Sequence, residues 1–446
     1  MILKSAIQSA VRKLEAQGLD DFEVAGLSEV SLVVEVKQQM VESFQRSSKR
    51  GIAIRAIRGA RVGLATTTEL SARSIEHAVD QAAAATRQVS PSDEATLPPA
   101  GEPPASFAEA KGRPFGEISD DDKIRMAMLL ESAAIAADSR VRRVQKPTYE
   151  ERTFSLSVTN SKGISSAAER GLALCELKVV AEDGGSAESA YEFSFSTRIE
   201  DLDVEKTARA AAVRAVGKLG AKPVSLSRCP VLLDPRASAT MIRLAAPSFF
   251  ADNVQRGKSM LVSKKGERIY HPDVSIVDDG LLPGGFGSFP FDGEGVTRRR
   301  TVMVRNGVVE GWLYDWARAS RDGVASTGNC VREGLKRLPA IGIGNCFLKG
   351  GDKAPDALMR EAHRGLLITD LLGVHTANAA NGDFSLGVEG MLIEEGMTGQ
   401  PVRGIIVAGN IHDLFGRVLG VGSDLKFFGA YGAPSLLVEG LMLGGG

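Results

Sequence analysis

The sequence predicts an α+β protein, with a mixed N-terminal domain of antiparallel strands and helices followed by a largely antiparallel β C-terminal domain. Three observations carry this. Residues 29–68 alternate apolar and polar side chains in runs such as VSLVVEV and GIAIRAI, the two-residue period of half-buried strands. Several stretches of the first half carry apolar residues at helical spacing. The second half is rich in glycine, and its Asn306-Gly307 lies between two alternating runs, a strong hairpin signal. We place the domains at 1–224 and 225–446.

In chain order, Ile2, Leu3, Ala6, Ile7, Ala10, Val11 and Leu14 form one apolar stripe, an amphipathic helix stopped by Gly18. VSLVVEV, MVESFQ, GIAIRAI and RVGLATT then read as a meander of short strands. Residues 71–88 form a helix with Ile75 and Val79 on one face. Its His77, beside Glu76, has no second ligand four residues away and reads as solvated. Residues 89–117 hold six of the 18 prolines and form a Pro-rich strap, a linker whose partial removal (97–105) both domains are expected to survive. Residues 120–138 are a helix with acids in its first turn, where they complement the macrodipole. RTFSLSVTN and LCELKVVAED read as strands, and residues 204–217 as a further helix. Beyond the boundary, the strand CPVLL ends in Asp234-Pro235 and leads into a helix over 238–258. TVMVRNGVVEGWLYDW is a hairpin, MLIEEGMTGQPVRGIIVAG a second one with a longer turn, and SLLVEGLML a last strand.

Charge is balanced, with 54 Lys plus Arg against 55 Asp plus Glu and a net charge of -1, so no global field draws the chain to nucleic acid or to an anionic membrane. Arg298-Arg299-Arg300 is the local exception. No aromatic residues interleave with it, and it reads as the solvated face of a strand. The chain shows neither a signal-peptide pattern nor an apolar span of about 20 residues, and its four cysteines form no CxxC pair, which together imply a cytoplasmic protein without a disulfide framework.

Common catalytic signatures are missing: no P-loop, no GxSxG, no HExxH and no GxGxxG between a strand and a helix. LPGGFGSF lacks the GK[ST] that would hold a phosphate and reads as turns. Asp292-Gly293-Glu294-Gly295 reads equally as a turn with solvated acids and as a substrate or partner loop. Gly382, Asp383 and Ser385 read as a tight turn whose Asp caps backbone amides, with a peptide-groove role as the alternative. Asn410, His412 and Asp413 mark a strand passing into a helix with Asn410 as N-cap. The spacings among Cys330, Cys346, His363 and His375 match no common zinc finger, so the cysteines read as small buried apolar residues.

The distinctive segments are RGIAIRAIRGARVGLATT, FPFDGEGVTRRRTVMVRNGVVEGWL, the STGN at Ser326 to Asn329, and GLLITDLLGVHTANAANGDFSLGVEGMLIEEGMTGQPVRGIIVAGNIHDLF. Together they resemble the TldD/PmbA family over the whole chain. The resemblance implies a two-subunit metalloprotease. Its TldD-type subunit holds zinc on a His-Glu-x-x-x-His helix and a later cysteine, and its TldE/PmbA-type subunit lacks them. The matching positions here are Ala245, Ala246, Pro247, Ser248, Phe249 and Phe250, none of them a zinc ligand, and no cysteine follows Cys346.

The resemblance therefore implies a TldE/PmbA-type subunit with no catalytic residue, metal or cofactor of its own, zinc being expected in a TldD-type partner. It implies a heterodimer with that partner or a homodimer, a chamber surface for peptides or unfolded proteins, and Phe249 and Phe250 inside the fold or at a cavity wall. His375, Asn378, Asp383 and Ser385 are the candidate substrate-binding residues. The family's older label, modulator of DNA gyrase, does not imply DNA contact, and no nucleic-acid or membrane partner is expected. Two alternatives stand: a non-proteolytic homodimeric binding or scaffold protein, favoured by the missing metal ligands, and an autonomous hydrolase using His375, Asp383 and His412.

Overall fold

The computed structural model describes residues 2–101, 114–225, 228–378 and 380–444. After α1 (Ile2–Glu15), the strands β1 (Asp21–Lys37), β2 (Met40–Arg58) and β3 (Arg61–Thr67) are followed by α2 (Ala72–Ala85) and α3 (Asp120–Ala137). Next come β4 (Val141–Asn160), β5 (Ser165–Asp183), β6 (Ser186–Ser196) and α4 (Val204–Gly217). The strands form one antiparallel sheet in the order β3-β2-β1-β4-β5-β6.

These strands are longer than the meander of short runs implied. MVESFQ and GIAIRAI are a single strand, because the polar stretch between them stays extended and paired, with Ser48 opposite Val30 and Lys49 opposite Glu29. The real reversal is at Gln38-Gln39, both in the left-handed region (φ 52° and 58°), the backbone that a two-residue hairpin turn demands.

One face of the sheet carries all four helices. Phe22, Val24, Ile52 and Ile54 pack under α1 and α2, while farther along the same strands Leu32, Val34 and Val36 pack under α3 and α4. Gly26 allows the first of these contacts, since a Cβ there would stand 2.7 Å from Ile7 Cδ1. On the opposite face Ala25, Leu156 and Val158 meet Phe289 and Phe291 from the second half of the chain.

The strap is part of this packing, which corrects the reading of it as a dispensable linker. Leu97 is fully buried, Arg55 Nη2 donates to Glu94 O and Thr96 O, and Asn160 Nδ2 donates to Pro98 O. Residues 102–113 of the strap lie outside the described residues.

The second half begins with β7 (Lys222–Pro223), β8 (Cys229–Leu233), α5 (Pro235–Ala245) and α6 (Ala251–Gln255). There follow β9 (Ile276–Asp279), β10 (Arg300–Arg305), β11 (Val308–Val309), α7 (Trp316–Asp322), β12 (Cys330–Val331), β13 (Ala340–Ile341), β14 (Cys346–Leu348) and α8 (Pro355–Ala362). The last elements are β15 (Gly365–Leu372), β16 (Asp383–Glu394), β17 (Met397–Asn410), α9 (Ile411–Gly416), β18 (Val418–Val421), β19 (Lys426–Phe428), β20 (Tyr431–Ala433) and β21 (Leu436–Gly444). β21 pairs with both β8 and β17, so β21-β8-β15-β16-β17 close into a five-stranded ring, mostly antiparallel with β8 and β15 parallel. Closure leaves no free edge inside the ring.

Asn306 and Gly307 (φ 49° and 81°) make the expected tight hairpin between β10 and β11. The second hairpin differs from expectation: Glu395-Gly396 (φ 53° and 74°) is a two-residue turn, not a longer one. The expected helix over 238–258 is interrupted. α5 stops at Ala245, a 3-10 turn spans Ala246–Phe249, and α6 restarts at Ala251, because Pro247 has no N–H to continue the α ladder. No helix among the described residues is long and apolar enough to cross a membrane.

Candidate functional site

The segment that ends α5 is the first region of interest. Asp234 caps α5 by accepting from Ala237 N, with Pro235 in the first turn, so the strand β8 passes directly into the helix. Its far end is buried. Ala245, Ala246, Ser248 and Phe249 are at most 1% exposed and Phe250 is half-buried, all in the large core of the second half. Backbone bonds between Phe249 and Leu313 (2.8 Å) and between Ala251 and Leu313 (3.0 Å) hold the turn, and the Phe249 ring lies 6.4 Å from that of Trp312.

The polar group here is Ser248. Its hydroxyl lies 3.1 Å from Nε2 of His412, whose Nδ1 is 2.7 Å from the Tyr270 hydroxyl, and the Tyr270 and His412 rings stack. Burial pushes His412 down to about 4, so the ring is neutral at pH 7 and both nitrogens are engaged. One edge of His412 faces a cavity of about 420 Å³ lined also by Met260, Leu261, Lys264, Asp413 and Arg417.

A zinc ion needs three or four N, S or O donors converging on one point. Ala245, Ala246 and Phe250 offer none, and among the described residues no group of three His, Cys, Asp or Glu is placed to hold a metal. Cys330 and Cys346 are buried thiols, whereas His363 and His375 are exposed. The residues at this position do not fit the ion.

The loop before β16 is the second region. His375, Asn378, Asp383 and Ser385 are all exposed. Asn378 Oδ1 accepts from Ala380 N and Asn381 N, and Asn378 N donates to Asp383 O at 2.9 Å. Sequence leads one to expect that Asp383 caps backbone amides; among the described residues its carboxylate instead accepts from the side-chain amides of Asn381 (2.8 Å) and Asn410 (2.9 Å). Asn410 is the N-cap of α9, its Oδ1 accepting from His412 N. Asn378 and Asp383 are thus joined to the start of α9, while His375 and Ser385 stand outside this bonding. Gly382 seats the loop there, since a Cβ would come 2.9 Å from Ile411 Cγ2.

A third region overturns two expectations. Asp292 and Glu294 are not solvated acids of a turn but are 0% and 3% exposed, and Arg298 is buried where a solvated face was expected, leaving only Arg299 and Arg300 exposed. The opposite face of the first sheet covers Glu294, whereas Asp292 and Arg298 are enclosed by the second half itself, Arg298 Nη1 donating to Gly287 O at 3.0 Å. Glu294 Oε1 pairs with Arg55 Nη1 at 3.1 Å and its Oε2 accepts from Trp316 N, while Arg332 pairs with Glu23. Asp292 accepts from the backbone N–H groups of Glu294, Val296 and Cys330. Burial, then the neighbouring Glu294, pushes Asp292 up to about 7, and burial pushes Asp278 up to about 6. A signal for this clasp exists in the sequence: Glu23 and Arg55 each interrupt an apolar strand run, and they sit opposite one another in the β1–β2 register.

Three family models match: PmbA/TldA metallopeptidase domain 1 over residues 22–86, the central domain over 113–219 and the C-terminal domain over 226–445. The chain is 26% identical to the metalloprotease PmbA of Escherichia coli O157:H7, an alignment covering 100% of this chain and 96% of the relative. A Thermotoga maritima crystal structure, solved as a candidate modulator of DNA gyrase, superposes with a TM-score of 0.90 at 27% identity and covers 99% of this chain and 100% of that one. TldE from Thermococcus kodakarensis shares the fold, with a TM-score of 0.87 at 23% identity and full coverage of both chains. The chain belongs to the TldD/PmbA family of metallopeptidases.

Proposed function

We propose that this chain is the TldE/PmbA-type subunit of a cytoplasmic zinc metalloprotease that degrades or processes unfolded proteins and peptides. It supplies chamber and pairing surface to a TldD-type subunit that carries the zinc. The observation that carries this reading is the end of α5. Ala245, Ala246 and Phe250, the positions that the family resemblance matches to the ligands and general base of a zinc subunit, carry no metal-binding side chain, and the neighbouring hydroxyl and imidazole of Ser248 and His412 are bound to one another. A hydrolytic zinc needs three fixed ligands and an open position, and these side chains provide neither. The name of the Escherichia coli relative, metalloprotease PmbA, supports a place in proteolysis.

The test is reconstitution. The purified chain alone should carry less than about a tenth of an equivalent of zinc and cleave neither casein nor short peptides, for want of a ligand set. With the TldD-type subunit of the same cell it should form a complex that binds zinc and cleaves. Tightly bound stoichiometric zinc in the isolated chain would overturn the reading. Failure to associate with any TldD-type subunit would favour the homodimeric binding protein, which the same missing ligands also suit.

A further inference from the structure

The cavity of about 420 Å³ beside His412 adjoins a second of about 200 Å³, and the two share Asp413 of α9 and Arg417 just after that helix. Both have apolar walls, with Leu261 and Ile269 in the larger and Leu414 and Leu441 in the smaller. An apolar floor with a few charged groups is the usual make-up of a small-ligand site, and the larger cavity lies within the roughly 300–1,000 Å³ of such sites. The loop that carries Leu261 is fixed. Ser259 Oγ donates to Ser248 O at 2.7 Å and accepts from Leu261 N at 3.1 Å, and Gly266 N donates to Val309 O at 2.8 Å. Ser263 between them holds a left-handed backbone (φ 63°), a conformation that a residue other than glycine keeps only where its surroundings impose it.

The charged groups where the cavities meet are unpaired. Among the described residues, the guanidinium groups of Arg417 and of Arg228, which lines the smaller cavity, make no hydrogen bond or ion pair, and neither does the Asp413 carboxylate. Asp413 and Arg417 stand four positions apart, a spacing at which a carboxylate and a guanidinium on one helical face often pair, yet here they do not. Lys264 is not counted with them, because it pairs with Glu267 at 2.8 Å. His412 contributes no open group, its two ring nitrogens being held by Ser248 and Tyr270. Two unpaired cations and one unpaired anion therefore surround an apolar floor.

We propose that the two cavities together hold a short peptide with both ends free, its terminal carboxylate on Arg417 and Arg228, its terminal ammonium on Asp413 and an apolar side chain against Leu261 and Ile269. Guanidinium groups suit a carboxylate because they offer two parallel N–H donors. A purely anionic ligand would bring its charge up to the Asp413 carboxylate, and a purely cationic one up to the two arginines, whereas a zwitterion matches all three groups. The inference rests on the reading that this chain handles peptides. Binding is measured on the chain alone, so its failure leaves pairing with a zinc subunit untouched, and failed reconstitution leaves peptide binding untouched.

The experiment is isothermal calorimetry of the full chain with the dipeptide Leu-Leu, its N-acetyl form and its C-terminal amide. Leu-Leu should bind with a dissociation constant of about 0.1 mM or tighter, and each capped form about tenfold more weakly. Arg417→Gln should weaken Leu-Leu about tenfold but the amide less than about twofold, because the amide has already lost that contact. Asp413→Asn should weaken Leu-Leu in the same way and spare the N-acetyl form. Circular dichroism of each variant checks folding. Absence of Leu-Leu binding up to about 5 mM overturns the proposal. So does binding that capping leaves unchanged, or a capping penalty that persists in full in both variants.

Discussion

Ser248 and His412, separated by 164 positions in the chain, meet in the core at 3.1 Å between Oγ and Nε2. The imidazole is buried, so its folded pKa of about 4 lies below the ordinary value of about 6.5. The unfolded chain therefore binds the extra proton first. The contribution to stability is complete above about pH 6.5 and is lost as pH falls toward 4, amounting to about 3 kcal/mol. Urea unfolding of wild type and His412→Gln should show a stability gap at pH 7.5 that narrows at pH 4.5. Asp292, whose carboxyl is raised to about 7, works in the opposite direction, its contribution being lost as pH rises from about 4 through 7, so the comparison must be made against the variant rather than on wild type alone.

The Arg55–Glu294 pair tests the clasp between the sheet and the second half. Arg55→Ala strands a buried carboxylate and should cost about 3–5 kcal/mol in equilibrium unfolding. Arg55→Met with Glu294→Gln should cost less than the single change, because no uncompensated charge remains buried. If the double variant were the weaker, the pair would not be acting through charge burial.

Leu97 measures the role of the strap. Leu97→Ala should destabilise the chain by about 2–5 kcal/mol, the range for a large-to-small change at a fully buried site. A loss below about 0.5 kcal/mol would return the strap to the status of a peripheral linker.

Rebuilding the zinc motif should fail. Ala245→His, Ala246→Glu and Phe250→His together restore the ligand spacing in sequence, but α5 ends at Ala245 and the two histidines would sit on different elements. Ala245 is also too enclosed for an imidazole without displacing its core neighbours. We expect sub-stoichiometric zinc by elemental analysis, no peptidase activity and a lowered melting temperature. One equivalent of tightly held zinc would show that the segment refolds into a continuous helix.

Much of the local structure was legible. The apolar stripe from Leu3 to Leu14, the acids that open α3, and Asn306-Gly307 are signals spread over a few residues, and each element formed where those residues lie. The site was legible in part. The absence of metal ligands at Ala245, Ala246 and Phe250 needs only the sequence, whereas Pro247, though plain in the sequence, breaks a stretch whose apolar spacing still predicts one continuous helix. The Ser248–His412–Tyr270 contact was not legible, because its members lie on three separated segments.

By itself, then, the sequence determined the kinds of element, the tight turns and the family pattern, since these depend on side-chain periodicity and on backbone angles that few residues adopt. Only the tertiary structure decided how long each strand runs, that β21 closes a ring, and that Asp292, Glu294 and Arg298 are buried rather than solvated. The physical reason is range. A helix or turn is stabilised by neighbours within about four positions. The state of a charge depends on whatever covers it, and for Glu294 that is Arg55, 239 positions away on a strand of the other half of the chain.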